Sequence, residues 1–202
     1  MKGPSIDKES MMFKLDRSDE AESFISSLPV PYGKNAGKKL EITPERKRVL
    51  TAMYGDDVGR KVQRKLYCRG EGATTFAAAI AIYELIRGGT VYLLAPNMAQ
   101  ARNLFDVALR MIEMTPALAK YCRARTTDMR VSCAKTEAYL QAASVRSVRP
   151  DSQNATAIIC DGTGGFSQRD ILSNLAGGGY EVHKKLCRFI TFERVDDRWA
   201  RG

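Results

Sequence analysis

The stretch from residue 74 to residue 95 limits what this chain can fold into more than any other part of it. Residues 74–87 carry Phe76, Ala77, Ala78, Ala79, Ile80, Ala81, Ile82, Leu85 and Ile86. A helix with that content is apolar on nearly every side and has to be buried. Gly88-Gly89 ends it, and residues 91–95 then form an unbroken apolar run, Val-Tyr-Leu-Leu-Ala. Such a run is what a strand shows when both faces of its sheet are covered. A buried helix followed by a doubly covered strand implies an α/β fold: a mostly parallel sheet with helices on both faces.

The flanking sequence extends this pattern. Residues 21–28 read as a short helix stopped by the Pro29, Pro31 and Gly33 cluster, and residues 1–20 as a flexible polar arm. Thr43-Pro44 offers an N-cap followed by proline at the first helical position, opening a helix that stops near Gly55. Residues 65–68 form a strand candidate leading into a tight glycine-rich loop. Asn97 and Gln100 cap a helix that puts Ala101, Leu104, Phe105, Ala108 and Ile112 on one face. Thr115-Pro116 starts a further short helix. Strands are expected at 129–133, 138–141, 155–160 and 186–192, the first two as a hairpin, with a helix over 168–175.

Composition sets the outer bounds. At 202 residues, 44% hydrophobic and 27% charged, the chain suits one domain and excludes wholesale disorder. No apolar run approaches the roughly 20 residues of a membrane span, and the N-terminus lacks the apolar core of a secretory signal. Five scattered cysteines (Cys68, Cys122, Cys133, Cys160, Cys187) show no paired spacing for a metal site. They fit reduced thiols in a cytoplasm. The net charge is +9 and unevenly placed. Residues 38–69 hold ten basic side chains against four acidic, and residues 120–149 seven against two. Clustering of this kind suits a polyanion, because Lys and Arg that neutralise phosphates release counterions; it equally suits two solvated faces. Arg123, Arg125 and Arg130 are the candidate DNA-backbone contacts, with Tyr121 beside them.

The chemistry is expected in the strand–loop–helix unit. Where a glycine-rich loop opens a buried helix, backbone N–H groups and the helix N-terminus can surround phosphates; a lysine reaches the terminal phosphates and the next hydroxyl holds Mg²⁺. Here the loop reads Arg69-Gly70-Glu71-Gly72-Ala73-Thr74-Thr75. Gly70, Gly72 and Thr74 stand in place, and Ala73 stands where the lysine belongs. The strand at 157–160 ends in Asp161, the position from which a carboxylate holds the metal in nucleotide hydrolases. Gly162 follows, where a glutamate would orient the attacking water.

These residues together resemble the N-terminal ATPase domain of phage large terminase subunits, which pump DNA into capsids. The lead-in from Ala21 to Pro44, the loop at 69–75 as a deviant Walker A motif, residues 91–96 and 100–105, and Ile158-Ile159-Cys160-Asp161 as Walker B all match in order and spacing. Ile190-Thr191 is a candidate for the motif that couples hydrolysis to movement. The resemblance spans residues 21–202 and implies a P-loop NTPase fold of the RecA/ASCE type. It implies nucleotide contacts from Arg69, Gly70, Gly72, Ala73, Thr74, Thr75 and Arg46, and metal contacts from Thr74 and Asp161. ATP and Mg²⁺ are the implied cofactors. The implied partners are double-stranded DNA and a portal, a small terminase subunit or another large terminase, in a homo- or hetero-oligomeric ring in the bacterial host cytoplasm. The ribonuclease-H-like nuclease of the family's large subunit is not expected here.

Three positions depart from that family. Arg46 stands where a glutamine reads adenine, Ala73 replaces the Walker lysine, and Gly162 replaces the catalytic glutamate. Losing one charged hydrogen bond to phosphate costs about 1.5–3 kcal/mol, and losing a general base removes about 10²–10⁴ in rate. Weak ATP binding and very slow hydrolysis are therefore expected. The chain reads either as a packaging ATPase domain with impaired hydrolysis or as a silent homologue that binds and regulates packaging proteins. A chain altered on purpose to trap a state is a third reading, and Arg46 speaks against it.

Overall fold

The computed structural model describes residues 17–55, 62–67, 72–147, 155–162, 167, 171 and 188–194. Helix α1 (Ser18–Ser27) begins three residues before the expected start, inside what the sequence suggested was arm. Asp19 and Glu20 in its first turn suit the positive end of the helix, and Arg17 N–H is tied to the Tyr54 carbonyl at 3.0 Å. The helix stops where Leu28 turns extended ahead of Pro29. The chain then doubles back: Leu40 N–H reaches the Leu28 carbonyl at 2.8 Å and Val30 N–H the Lys38 carbonyl at 2.8 Å.

Helix α2 (Pro44–Tyr54) has the expected cap, the Thr43 hydroxyl accepting from Arg46 N–H at 3.3 Å. Strand β1 (Val62–Tyr67) leads to α3 (Ala73–Ile86), whose side chains are buried from Phe76 to Leu85. Strand β2 (Val91–Ala95) is buried at every position. Helix α4 (Met98–Glu113) follows with Asn97 as N-cap, its Oδ1 accepting from Gln100 N–H at 2.9 Å. Its buried face is the predicted one with Met111 added. The short α5 (Pro116–Ala119), β3 (Cys122–Arg125), β4 (Arg130–Cys133), β5 (Ala138–Ser144), β6 (Ala157–Asp161) and β7 (Arg188–Arg194) complete the described elements.

Seven strands form one sheet in the order β1-β7-β6-β2-β5-β4-β3. The pairings from β1 through β5 are parallel, and β5-β4 and β4-β3 are antiparallel. The hairpin of β4 and β5 is as expected; β3 is an extra edge strand. One sheet face packs Leu93, Leu140, Ile159 and Phe192 against the helices in the main core. The other gathers Tyr92, Leu94, Ile158 and Cys160, with helical Ile171 packed on it. The fold is thus the expected mostly parallel α/β sheet with helical cover on both sides. Among the described residues no helix is long and apolar enough to cross a membrane.

Candidate nucleotide site

The sheet order decides where the two expected motifs meet. Strand β7 inserts between β1 and β6, so the start of α3 and the end of β6 come to the same carboxyl edge of the sheet. That edge is where ligands bind in open α/β sheets. Although 87 residues separate them, the Thr74 hydroxyl donates to Asp161 Oδ2 at 2.5 Å. The two residues picked from sequence as metal ligands therefore form one oxygen pair.

Gly72 precedes α3 in the left-handed conformation, with φ +74°, which glycine adopts without penalty. Its carbonyl accepts the first helical bond, from Phe76 N–H at 3.0 Å. The first N–H groups of a helix have no partner within it, so they face the loop as ready donors for an anion. The first turn of α3 holds no acidic residue to neutralise that end. Ala73, at the lysine position, is buried.

Arg46 reaches this helix start from α2. Its Nη1 donates to the Glu41 carbonyl at 2.6 Å, its Nη2 to the Gly72 carbonyl at 3.5 Å, and the guanidinium lies 5.3 Å from the Phe76 ring centroid. Phe76 in turn meets Phe192 edge-on at 6.0 Å. This Arg46–Phe76–Phe192 column joins α2, α3 and β7 at the start of α3. The sequence suggested Arg46 as a nucleotide contact standing where a glutamine was expected, and did not foresee this stack; an aromatic at the fourth position of a buried helix was its available sign.

Gly162 also departs from expectation. Its φ is +83°, its N–H donates to the Phe192 carbonyl at 2.7 Å, and a Cβ there would lie 3.3 Å from Pro96 Cγ. The glycine is therefore a requirement of the local backbone, where the sequence suggested only the replacement of an expected glutamate. Arg69, Gly70 and Glu71 and the segment 163–166 lie outside the described residues.

Thr74 and Asp161 supply hard oxygen donors of the type Mg²⁺ takes. Among the described residues no group of three or more His, Cys, Asp or Glu could hold a metal. A cation here would therefore need phosphate oxygens and water to complete its shell, as Mg²⁺ in nucleotide sites does. When bound, it would draw negative charge from the phosphates. Thr74 and Asp161 would hold it, and the α3 N-terminus would hold the anion.

The second candidate site lies on the sheet's far edge. Arg123 pairs with Ser132, and Arg125 with Arg130, on one face of β3 and β4. Together with Ala124 they line an open concavity of about 270 Å³. The three arginines differ in their engagements. Arg123 donates to the carbonyls of Ala119, Lys120 and Cys122 at 2.9–3.3 Å, closing the end of α5. Arg125 pairs with Asp128 at 3.2 Å. Arg130 lies 3.5 Å over the Tyr139 ring, with its Nε buried and unbonded. Tyr121 is exposed between Lys120 and Lys135.

No protein-family model matches the chain, and no curated protein matches it. Solved structures do. The large terminase of bacteriophage HK97 superposes with a TM-score of 0.75 over 89% of this chain at 19% identity. The large-terminase ATPase domain of Thermus phage P74-26 gives 0.52 over 76% of this chain and 70% of its own, at 14% identity. The UvsW helicase of bacteriophage T4 gives 0.52 over 91% of this chain and 62% of its own, at 13% identity. The chain spans 38% of the length of the HK97 protein. It therefore has the α/β fold that phage large terminases and the UvsW helicase share.

Proposed function

We propose that the chain is a terminase-type ATPase domain serving viral DNA packaging, in which hydrolysis is impaired or lost. The observation that carries this reading is the Thr74–Asp161 bond at the carboxyl edge of the sheet, with no lysine at Ala73 and no glutamate at Gly162. On this reading the start of α3 and the end of β6 would hold a triphosphate and its metal, while the side chains that would grip and cleave it are missing. On this reading Arg69, Gly70, Gly72, Ala73, Thr74, Thr75 and Arg46 contact the nucleotide, and Thr74 and Asp161 take Mg²⁺. Partners on this reading are DNA, a portal, a small terminase subunit or another large terminase in a ring.

Thermal unfolding with and without Mg-ATP tests the cradle. A ligand that binds the native state raises stability by RT ln(1 + [L]/Kd), so weak binding shows as a shift that grows with ATP concentration. Asp161→Ala should remove the Mg²⁺-dependent part of that shift. An equal shift in the variant would refute the assigned metal role. Phosphate release should stay at the protein-free background with DNA present; DNA-stimulated turnover that Asp161→Ala abolishes would show a working motor. If the chain acts instead as a silent binding module, it should co-purify with a packaging protein without turnover.

For DNA we propose the concavity of Arg123, Arg125 and Arg130. Removing one arginine–phosphate interaction should flatten the slope of log affinity against log salt by about 0.9. Arg125→Ala should give most of one such unit, because a surface pair with Asp128 competes little. An unchanged slope in the triple alanine variant would place DNA on another face.

A further inference from the structure

Two cysteines that no part of the nucleotide reading uses stand opposite each other in the outer hairpin. Cys122 of β3 is the direct partner of Cys133 of β4. Both are free, and both are buried, 7% and 5% exposed. The ladder bond next to them runs from Ala134 N–H to the Tyr121 carbonyl at 2.9 Å. In an antiparallel ladder, bonded and non-bonded pairs alternate, so Cys122 and Cys133 form a non-hydrogen-bonded pair, the closer of the two kinds. Such pairs have Cα atoms about 4.5 Å apart, inside the roughly 4.4–6.8 Å window of disulfides.

We propose that Cys122 and Cys133 are a dithiol modification site, which a low-molecular-weight disulfide such as oxidised glutathione converts to an intramolecular cross-strand disulfide. The Cys133 thiolate attacks one sulfur of the glutathione disulfide and expels one glutathione thiolate, which takes up a proton. Cys122, giving up its own proton, then attacks Cys133 Sγ in the mixed disulfide and expels the second glutathione. Two protein thiols are oxidised by two electrons, and one glutathione disulfide is reduced to two thiols.

The surroundings divide the roles. Burial pushes the Cys122 thiol up to about 11, helped by the neighbouring Cys133. Burial also opposes ionisation of Cys133, but hydrogen bonds from the Thr136 side chain and from the Lys135 and Thr136 backbone, with one from Cys122, bring it below its ordinary value. Cys133 is therefore the attacking sulfur and Cys122 the resolving one. Access comes from the edge: among the described strands β3 pairs with β4 alone, and edge strands open locally at less cost than central ones. The bond would clasp the strand that carries Arg123 and Arg125.

The test uses the whole chain, reduced and then equilibrated with oxidised glutathione under native conditions, acid-quenched and digested with trypsin. The protein should lose the mass of two hydrogens, and residues 121–123 should appear joined to residues 131–135. Cys122→Ser should instead retain one glutathione on Cys133. Amide exchange across residues 122–125 should slow about tenfold or more on oxidation, because the cross-link removes open states. Both thiols remaining free, or links from either one to Cys68, Cys160 or Cys187, would overturn the proposal. None of these readouts depends on nucleotide or DNA binding.

Discussion

Gly162→Glu is expected to cost stability without creating hydrolysis. The left-handed backbone at this position is expensive for any residue with a Cβ, about 1–3 kcal/mol, and the new Cβ would press on Pro96 Cγ at 3.3 Å. For a chain of this length each kcal/mol moves Tm by about 2–4 °C, so calorimetry should record a fall of about 2–12 °C. Ala73→Lys should behave differently. It adds a charged hydrogen bond to phosphate and should tighten ATP about tenfold to a hundredfold in titration, with phosphate release still at background. A Gly162→Glu variant with unchanged Tm and measurable turnover would mean that β6 ends in another conformation than the one described.

Phe76→Ala is expected to be the most damaging single truncation at the site. The ring is buried at 2% exposure between Arg46 and Phe192. Emptying a buried aromatic position costs about 3–5 kcal/mol, or about 6–20 °C in Tm at this chain length. The change also removes the face on which the Arg46 guanidinium rests, so the hold of α2 on the Gly72 carbonyl should loosen. Any ATP-dependent stabilisation should fall with it. Phe76→Leu keeps most of the volume but not the ring. It should recover most of the Tm while leaving the nucleotide-dependent shift reduced, which separates packing from positioning. Equal recovery of both in the leucine variant would remove the ring from the account of the site.

What the sequence disclosed follows from where the information sits. The buried helix α3 and strand β2 were legible because an all-apolar run has few places to go. The caps at Thr43 and Asn97 were legible because capping is local: a side chain and an N–H three residues on. Thr74 and Asp161 were found separately, each by its place at the end of a strand or the start of a helix, and their meeting followed from the strand order. Strand β3 was missed because Cys-Arg-Ala-Arg is only four residues long, with small Cys and Ala alternating with two arginines and no β-branched or aromatic side chain; it is an edge strand with one buried side chain in four. Gly162 was read as a chemical loss because composition carries no dihedral angle. Its φ is set by the bond to Phe192, some thirty residues away, and by Pro96. The three arginines named from sequence line one concavity, but their different partners come from α5, Asp128 and Tyr139, which spacing alone does not supply.

The insertion of β7 between β1 and β6 carries a consequence for how the molecule is made. Among the described residues Val62 pairs in the sheet with Phe189, and Ile159 borders Ile190 on the same strand. A ribosome-borne chain that has emerged through β6 therefore holds Thr74 and Asp161 on fragments with two unsatisfied borders. Closing a loop of that length is slow compared with local hairpin formation. Until β7 arrives, those borders invite pairing with another nascent chain or capture by a chaperone.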